Sequence, residues 1–291
     1  MQNMTDNNKK MGTGPSRAPP CDLQTMIKTG TKTELGQGSQ GIVYKIQNSQ
    51  KGCIFAAKVY VDDRDYSRES EALTRLREKC QSYVVCFTSL EKVELDGKVQ
   101  HWLVTEYLQD YTELDQLIGR HPHESVLDKI EMYKDLIDGL NIIHEAGIAH
   151  MDVKPENIMV NVRNGQIKYI DFGIACLSGK GCIYGGSEYT MAPEIYAGFK
   201  DERPLPLSIE EAQRADIWSL GITMWMCKTN QLEQVADSTK EHMIQCFSKP
   251  FVPNQIYGFS EKKLLFIDLS RMITNDPKER KLDYTYQEIC S

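Results

Sequence analysis

Four short segments of the chain carry residue types that suit the handling of a phosphorylated nucleotide. Glycines let backbone N–H groups come close to phosphate oxygens, where a Cβ atom would intrude. A lysine can pair with the phosphates, a carboxylate can accept a proton, and carboxylate or amide oxygens suit Mg²⁺. Phosphoryl transfer from ATP needs this set of groups. In chain order the segments are GQGSQGIV at 36–43, AAK at 56–58, HMDVKPEN at 150–157 and DFG at 171–173.

The glycine segment is a weak signal when it is taken alone, because a dinucleotide-binding turn uses the same GxGxxG string. That turn opens a helix, whereas here Ile42, Val43 and Tyr44 predict that a strand follows the glycines. A glycine hairpin without any ligand would explain the segment equally well.

Lys58 favours the phosphate interpretation. It stands among Ala56, Ala57 and Val59 in a second apolar run, which should form the strand that returns beneath the glycines. A lysine in such surroundings needs a fixed anionic partner, since an unpaired buried ammonium is costly.

The elements that must position these segments differ between the two halves of the chain. Residues 31–107 contain short apolar runs separated by turns, which predict strands, and one helical pattern over 67–77. Beyond residue 108, apolar residues recur every three or four positions, which predicts helices. The predicted helix over 216–226 is apolar on nearly all sides and should be buried, while a second over 262–273 is amphipathic.

On these motifs and their order, the chain resembles a eukaryotic-type protein kinase from about residue 31 to about residue 287. The resemblance implies an α+β bilobal fold, with a small N-terminal antiparallel β-sheet lobe that has one helix and a larger, mainly α-helical C-terminal lobe. We expect a disordered tail over 1–28, since its Asn, Lys, Gly and Pro residues cannot bury a core. The N-lobe should span 29–108 and the C-lobe 109–291, which together form one kinase domain.

The resemblance also implies the catalytic roles. Asp152 accepts the proton of the substrate hydroxyl, and Lys154 adds positive charge near the moving phosphoryl group. Asn157 and Asp171 are the implied Mg²⁺ ligands. Asp and Asn are common in turns, but the joint spacing of these four residues with His150 argues against ordinary loop positions. Lysine at position 154 is typical of serine/threonine kinases.

By resemblance, Lys58 pairs with the ATP phosphates and with a glutamate from a helix. Glu69 is the first candidate, because leucines follow it at +4 and +7 as in the family helix, and Glu71 is the alternative. Thr105 should guard the rear of the adenine pocket. The implied ATP-binding residues are Leu35, Gly36, Gln37, Gly38, Ser39, Gln40, Gly41, Val43, Ala56, Lys58, Thr105, Glu106, Leu108 and Met159.

Met151 departs from the family, which usually has arginine before the catalytic aspartate. That arginine typically binds an activation-loop phosphate, and methionine carries neither the charge nor the donors to do so. We therefore hypothesise that activity does not depend on phosphorylation of the segment between Asp171 and Glu194.

Features of the protein-substrate half complete the resemblance. It implies a buried ion pair between Glu194 and Arg280. It also implies that Asp216 binds the backbone of the catalytic loop, the segment 150–157. This arrangement disfavours a small-molecule phosphotransferase. Residues 200–213 are interpreted as a solvated surface insertion, with a docking role as the alternative. Glu156 fits either the recognition of basic substrate residues or a plain loop-surface carboxylate.

The composition argues against nucleic acid and membranes as partners. The chain has 34 Lys and Arg against 41 Asp and Glu, a net charge of −7, so it has no electrostatic footprint for nucleic acid. No uninterrupted apolar run approaches the roughly 18 residues that a membrane span needs, and we expect a soluble protein without a membrane partner.

Nine cysteines without CxxC or Cys/His ligand spacing, and the lack of a secretory apolar region, predict reduced thiols in the cytoplasm or nucleus. Cys176 and Cys182 follow the DFG motif, where we expect two free thiols, with a redox switch as the alternative.

These inferences favour an ATP- and Mg²⁺-dependent protein serine/threonine kinase that acts on hydroxyl groups of protein substrates. The alternative is a pseudokinase, an ATP-binding scaffold or interaction module. Such proteins usually lose the lysine, the catalytic aspartate or the metal aspartate, whereas Lys58, Asp152 and Asp171 are all present. The sequence predicts neither the identity of the substrate nor the oligomeric state.

Overall fold

The computed structural model describes eight ranges of the chain. Within those ranges, no helix combines the length and the apolar character needed to cross a bilayer. The described ranges are 21–38, 40–60, 66–80, 82–118, 130–201, 206–229, 255–260 and 263–288.

A five-stranded antiparallel sheet in the order β1-β2-β3-β5-β4 forms the N-lobe. Its tight turns use positive φ values, at Gly52 (63°) and at Asp96 and Gly97 (50° and 73°). Lys58 lies on the central strand, opposite Val43 on one side and Leu103 on the other. The strands are β1 Thr31–Gln37, β2 Gly41–Asn48, β3 Cys53–Tyr60, β4 Phe87–Leu95 and β5 Lys98–Thr105.

One helix of the N-lobe was predicted and one was not. The predicted helix is α2, Tyr66–Arg75, which buries Glu69, Ala72 and Leu73. The other is α1, Leu23–Thr29, which falls within the expected tail and packs against the outer face of the sheet. The tail predicted over 1–28 is therefore wrong for 23–28, while residues 1–20 lie outside the described ranges.

Helix α1 forms because its sequence supplies both a cap and an apolar face. The Asp22 side chain accepts a hydrogen bond from Thr25 N at 3.2 Å, which satisfies a free N–H of the first turn. Met26 and Ile27 are buried in one apolar cluster with Phe55 and Trp102 of the sheet. The composition of the segment did not predict this helix, because Met26 and Ile27 are surrounded by polar residues.

The C-lobe is built on helices with short strands between them. A second apolar core runs through this lobe and continues up to helix α2. The helices are α3 Leu114–Leu117, α4 Ile130–Glu145, α5 Pro193–Lys200 and α6 Ile209–Thr229. The strands are β6 Tyr111–Glu113, β7 Ile148–Ala149, β8 Ile158–Asn161, β9 Ile167–Tyr169, β10 Cys176–Leu177, β11 Gln255–Ser260, β12 Lys263–Asp268 and β13 Thr285–Glu288.

Helix α6 confirms the predicted buried helix, since residues 216–224 are all buried. It begins earlier than predicted because Ser208 and Glu211 form a reciprocal cap. Glu211 N donates to Ser208 Oγ at 3.2 Å, and Ser208 N donates to Glu211 Oε2 at 2.9 Å. The surface insertion predicted over 200–213 is thus wrong at its end, and 202–205 lie outside the described residues.

The helix predicted over 262–273 is wrong for the described part of that range. Strand β12 pairs antiparallel with both β11 and β13, and the single helical turn Leu269–Arg271 follows it. The four apolar residues at 264–267 suit a strand as well as a helix. Pairing on both sides satisfies the strand backbone, which decides between the two.

Six of the nine cysteines form disulfides, so the prediction of reduced thiols is wrong for them. The bridges are Cys21–Cys53, Cys80–Cys86 and Cys176–Cys182, with Cα–Cα distances of 6.4, 4.7 and 4.7 Å. Cys227 is a buried free thiol, and Cys246 and Cys290 lie outside the described residues. Folding brings these pairs together, so a search for CxxC spacing could not find them.

Candidate active site

A cavity of about 470 Å³ opens between the sheet and the helical lobe. The described residues predicted to bind ATP all line it, and Ser39 lies outside the described residues. These lining residues are Leu35, Gly36, Gln37, Gly38, Gln40, Gly41, Val43, Ala56, Lys58, Thr105, Glu106, Leu108 and Met159.

The three glycines above the cavity have different reasons to lack a side chain. A Cβ atom on Gly41 would lie 2.1 Å from Val59 O, so this glycine permits β2 to pack on β3. A Cβ atom on Gly36 or Gly38 would meet no atom within 4 Å. Nothing in the fold demands glycine at these two positions, which is the pattern expected where a ligand must approach the backbone.

Lys58 joins the two lobes at the floor of this cavity. Its Nζ lies 2.8 Å from Glu69 Oε2, 2.8 Å from Asp171 Oδ1 and 3.1 Å from Gln40 Oε1. Of the two glutamates considered for Lys58, Glu69 is the partner, and Glu71 instead pairs with Arg75 at 2.8 Å. Helix α2 and the DFG motif are therefore held to the same ammonium.

Electrostatics keep this cluster charged. Burial lowers the pKa of Lys58, but the carboxylates of Glu69 and Asp171 outweigh burial and raise that pKa above its ordinary value. For Asp171 the signs are reversed. Burial raises its pKa, but the adjacent Lys58 ammonium more than offsets burial, so the pKa is lowered. The lysine is thus a permanent cation at neutral pH, ready to meet phosphate oxygens.

The carboxylate of Asp152 is fixed by three donors. Oδ1 accepts from Ser187 N at 2.8 Å. Oδ2 accepts from Asn157 Nδ2 at 3.0 Å and lies 2.9 Å from Lys154 Nζ. Lys154 also donates to Ser187 Oγ at 2.8 Å, so the activation segment and the catalytic loop are tied together. Such fixation suits a base that must accept a proton from one direction.

Asn157 and Asp171 fit the requirements of Mg²⁺, since both line the cavity and both offer hard oxygen atoms. Asn157 Nδ2 donates to Asp152 O at 2.9 Å as well as to its carboxylate. The amide nitrogen is thereby turned toward the catalytic loop, which leaves the carboxamide oxygen to act as a metal ligand. Phosphate oxygens and water would complete the coordination.

The supporting ion pair implied by the resemblance is present. Arg280 Nη1 and Nη2 lie 2.5 and 2.9 Å from the two Glu194 carboxylate oxygens, and the arginine side chain is fully buried. Arg280 also donates to Thr274 O at 3.0 Å and Arg214 O at 3.1 Å. This fork of hydrogen bonds fixes the end of the activation segment against helix α6.

Glu156 is more than a surface carboxylate. It lines the cavity and accepts a hydrogen bond from the Tyr189 hydroxyl of the activation segment. Burial, followed by the contact with Glu156, raises the pKa of that tyrosine well above its ordinary value.

The sequence analysis missed an ion pair that supports the hinge between the lobes, the segment 106–108 that follows β5. The Glu106 carboxylate accepts from Cys86 N at 2.7 Å and pairs with the buried ammonium of Lys168. Lys168 also donates to Cys80 O at 3.0 Å. No local string signals this contact, because its members come from three separate parts of the chain. Further lining residues that were not predicted are Val85, Leu103, Tyr111, Thr112, Glu113, Gln116 and Ile170.

Comparison with known proteins places this site in a family. Residues 30–290 match the family model of the protein kinase domain. The dual specificity mitogen-activated protein kinase kinase sek-1 of Caenorhabditis elegans is 33% identical over 230 residues, 69% of this chain and 63% of that protein. Mitogen-activated protein kinase kinase 7 of Arabidopsis thaliana is 27% identical over 249 residues, 80% of this chain and 75% of that protein.

A solved structure supports the fold independently. The kinase PK-1 of Cydia pomonella Granulovirus superposes with a TM-score of 0.64 at 18% identity, covering 89% of this chain and 92% of that one. The bilobal fold and the lysine-centred cleft are those of a protein kinase domain. The chain belongs to the protein kinase family.

Proposed function

We propose that this protein kinase transfers the γ-phosphate of ATP to Ser or Thr hydroxyls of protein substrates, with Mg²⁺ as cofactor. The observation that carries the proposal is the Lys58 ammonium, held 2.8 Å from both Glu69 and Asp171 at the floor of a glycine-covered cavity. Phosphoryl transfer depends on this kind of fixed positive charge, because charge spreads over the phosphoryl oxygens in the transition state.

The residues around the cavity divide the work of the reaction. Lys58 orients the α- and β-phosphates, and Asp152 accepts the proton of the hydroxyl as its oxygen attacks the γ-phosphorus and ADP departs. Lys154, which bridges Asp152 and Ser187, places a second positive charge beside that path. Mg²⁺ bound by Asn157 and Asp171 would supply charge neutralisation of the phosphates.

The proposal includes independence from activation-loop phosphorylation. Met151, which replaces the usual arginine, is 7% exposed and belongs to the apolar core. The activation segment is already tied to the catalytic loop through Ser187 and Asp152 without a phosphate. The wild type should keep its kcat after phosphatase treatment, which leaves the hydroxyl contacts of Ser178 and Thr190 in place. A large loss that acidic residues at Ser178, Tyr184 or Thr190 restore would count against independence.

The phosphorylation test leaves Ser187 unchanged because Lys154 contacts its hydroxyl, so its removal would disturb catalysis directly.

The location of the protein stays a prediction of cytoplasm or nucleus. The three disulfides bear on it, because thiols in those compartments are normally kept reduced.

The test is phosphoryl transfer from γ-labelled ATP to generic basic and acidic proteins, followed by identification of the labelled amino acid. Asp152→Ala and Lys58→Met should each lower kcat by about 100-fold or more. Asp283→Ala removes an exposed carboxylate, paired with Arg271 at 3.0 Å, and serves as the matched control. Binding of ATP with no transfer above the Asp152→Ala level would indicate the pseudokinase alternative, and label on tyrosine would contradict the assigned specificity.

A further inference from the structure

Helix α2 is fastened to the segment that follows the DFG motif by an arginine one residue before Glu69. Arg68 Nη1 donates to Ala175 O at 2.9 Å and to Gly181 O at 3.2 Å. These two carbonyls immediately precede Cys176 and Cys182, which the third disulfide joins. One guanidinium nitrogen therefore bridges the two ends of a loop that the disulfide closes. We refer to residues 176–182 as the disulfide loop.

A second set of contacts holds the same loop farther along the helix. Arg75 donates to Ser178 Oγ at 2.9 Å and to Ser178 O at 3.2 Å. Lys180 pairs with Glu71 between the two arginines. Arg68 and Arg75 are seven residues apart, so the disulfide loop lies along about two turns of α2.

The disulfide loop is itself anchored in the C-lobe. Its first two residues form strand β10, which pairs with Ile148 and Ala149 of β7. Strand β7 runs directly into His150 and the catalytic loop. A continuous path thus leads from the catalytic loop through the disulfide loop to Arg68, and from Arg68 to the adjacent Glu69 that pairs with Lys58.

We propose that Arg68 is a positioning residue for the reaction, and that the Cys176–Cys182 bridge sets the spacing of the two carbonyls that Arg68 holds. This inference rests on the proposed function. With Met151 unable to bind a phosphate, the backbone of the disulfide loop provides the anchor for α2. Any movement of the helix away from the loop would carry the Glu69 carboxylate away from Lys58.

The same geometry makes the anchor sensitive to thiols. A dithiol reductant opens the bridge in two steps: its thiolate attacks the half-buried Cys182 sulfur and releases Cys176 as a thiol, then its second thiol displaces Cys182. The two cysteines gain two electrons and two protons, and the reductant becomes a disulfide. Gly181 is then free to separate from Ala175, and Arg68 can no longer hold both carbonyls. Disulfides that form in reducing compartments are usually transient and either catalytic or redox-sensing.

The test compares Arg68→Gln with Arg163→Gln, which removes an arginine whose exposed pair with Asp110 lies away from α2. Two properties are measured: kcat and KM for ATP, and the rate of hydrogen exchange at the backbone amides of α2 in protein without nucleotide. Arg68→Gln should lower kcat about 10- to 100-fold, since hydrogen bonds from a charged donor are lost, with a smaller change in KM for ATP. It should also speed exchange of the α2 amides, because the helix is no longer held to the disulfide loop.

Cys182→Ser should give the same two changes and should not add to Arg68→Gln. Wild-type values of kcat and of α2 exchange in Arg68→Gln would overturn the inference, and so would a loss confined to thermal stability. Should Arg68→Gln fail to fold, Cys182→Ser provides the same readout without opening the other two bridges. A wild type that transfers no phosphate refutes the proposed function, while the exchange of the α2 amides still decides this inference.

Discussion

The carboxylate of Asp216, in helix α6, holds the backbone of Met151 in the left-handed region. Met151 has φ of 68°, and its N–H donates to Asp216 Oδ1 at 2.8 Å. The other carboxylate oxygen accepts from His150 N at 2.6 Å and lies 3.0 Å from His144 Nε2. A non-glycine residue in this conformation costs about 1–2 kcal/mol, so the carboxylate must compensate for it. The long buried helix thereby shapes the turn that presents Asp152.

Asp216→Asn should disturb this turn without touching the nucleotide cavity. The amide retains one acceptor but turns an N–H₂ group toward backbone donors, and we expect a loss of about 2–4 kcal/mol in the free energy of unfolding. The kcat should fall at least about 10-fold as Asp152 shifts, whereas KM for ATP should change little. Urea unfolding and steady-state kinetics measure the two effects.

Asp283→Asn is the control for Asp216→Asn, because its carboxylate is exposed and forms a surface ion pair with Arg271. It should change stability by less than about 0.5 kcal/mol. An equal loss of ATP binding in Asp216→Asn would show that the variant perturbs the whole cleft, which contradicts a role confined to the catalytic loop.

Lys58→Met should make stability depend on pH in a defined direction. In the wild type the pKa of Lys58 is raised, so its contribution is complete below its ordinary pKa of 10.5 and is lost only as pH rises through the folded value. The pKa of Asp171 is lowered, so its contribution is present above 3.8 and is lost as pH falls through the folded value. The contribution of the wild-type Lys58–Asp171 pair to stability is therefore constant between about pH 5 and 9.

Without the lysine, the Asp171 carboxylate loses its main stabilising partner, so its pKa rises above the wild-type value although His150 and the Gly173 N–H still lower it. The destabilisation of Lys58→Met should be largest at pH 8 and shrink toward pH 4 as that carboxyl takes up a proton. The Asp171 side chain is 45% exposed, so solvent screening keeps the effect modest. Thermal unfolding across this pH range measures it, with exposed Lys92→Met as the pH-independent control. A difference that grows on acidification would refute this account.

Thr105 should control which inhibitors enter the rear of the cavity. It stands at the end of β5 opposite Ala56, and it lines the same cavity as Leu103 and Glu69. A purine analogue with a bulky substituent should raise the melting temperature of the wild type and lose this effect in Thr105→Met, while a small analogue keeps it. Thr88→Met, at an exposed position of β4, is the matched control. Equal binding of the bulky analogue by Thr105→Met would show that Thr105 does not guard the pocket.

Short sequence motifs predicted much of this site. The sequence placed Lys58 on a strand beneath the glycines, and the observed register of β3 between β2 and β5 agrees. It also favoured Glu69 over Glu71, which the 2.8 Å contact with Lys58 bears out as geometry. The first prediction needed only the turn between adjacent strands, and the second needed only the positions of the leucines that follow Glu69.

Contacts between distant parts of the chain could not be anticipated in this way. Cys21 and Cys53 are separated by 32 residues and meet only because α1 packs on the sheet. The pairing of Lys168 with Glu106 depends on the arrangement of β9 relative to the hinge. The apolar run at 264–267 suits two structures, and only its strand partners decide between them.

Arg280→Lys should destabilise the whole domain although it preserves the charge. The guanidinium makes two hydrogen bonds to Glu194 and two to backbone carbonyls, and it stacks 5.0 Å from the Trp218 ring. An ammonium has neither the fork nor the plane to replace these contacts. Because the side chain is fully buried, we expect a loss of about 3 kcal/mol in the free energy of unfolding. Arg271→Lys, in the exposed pair with Asp283, should lose less than about 1 kcal/mol. Urea unfolding of both variants measures the difference, and comparable losses in the two would contradict a structural role for the buried fork.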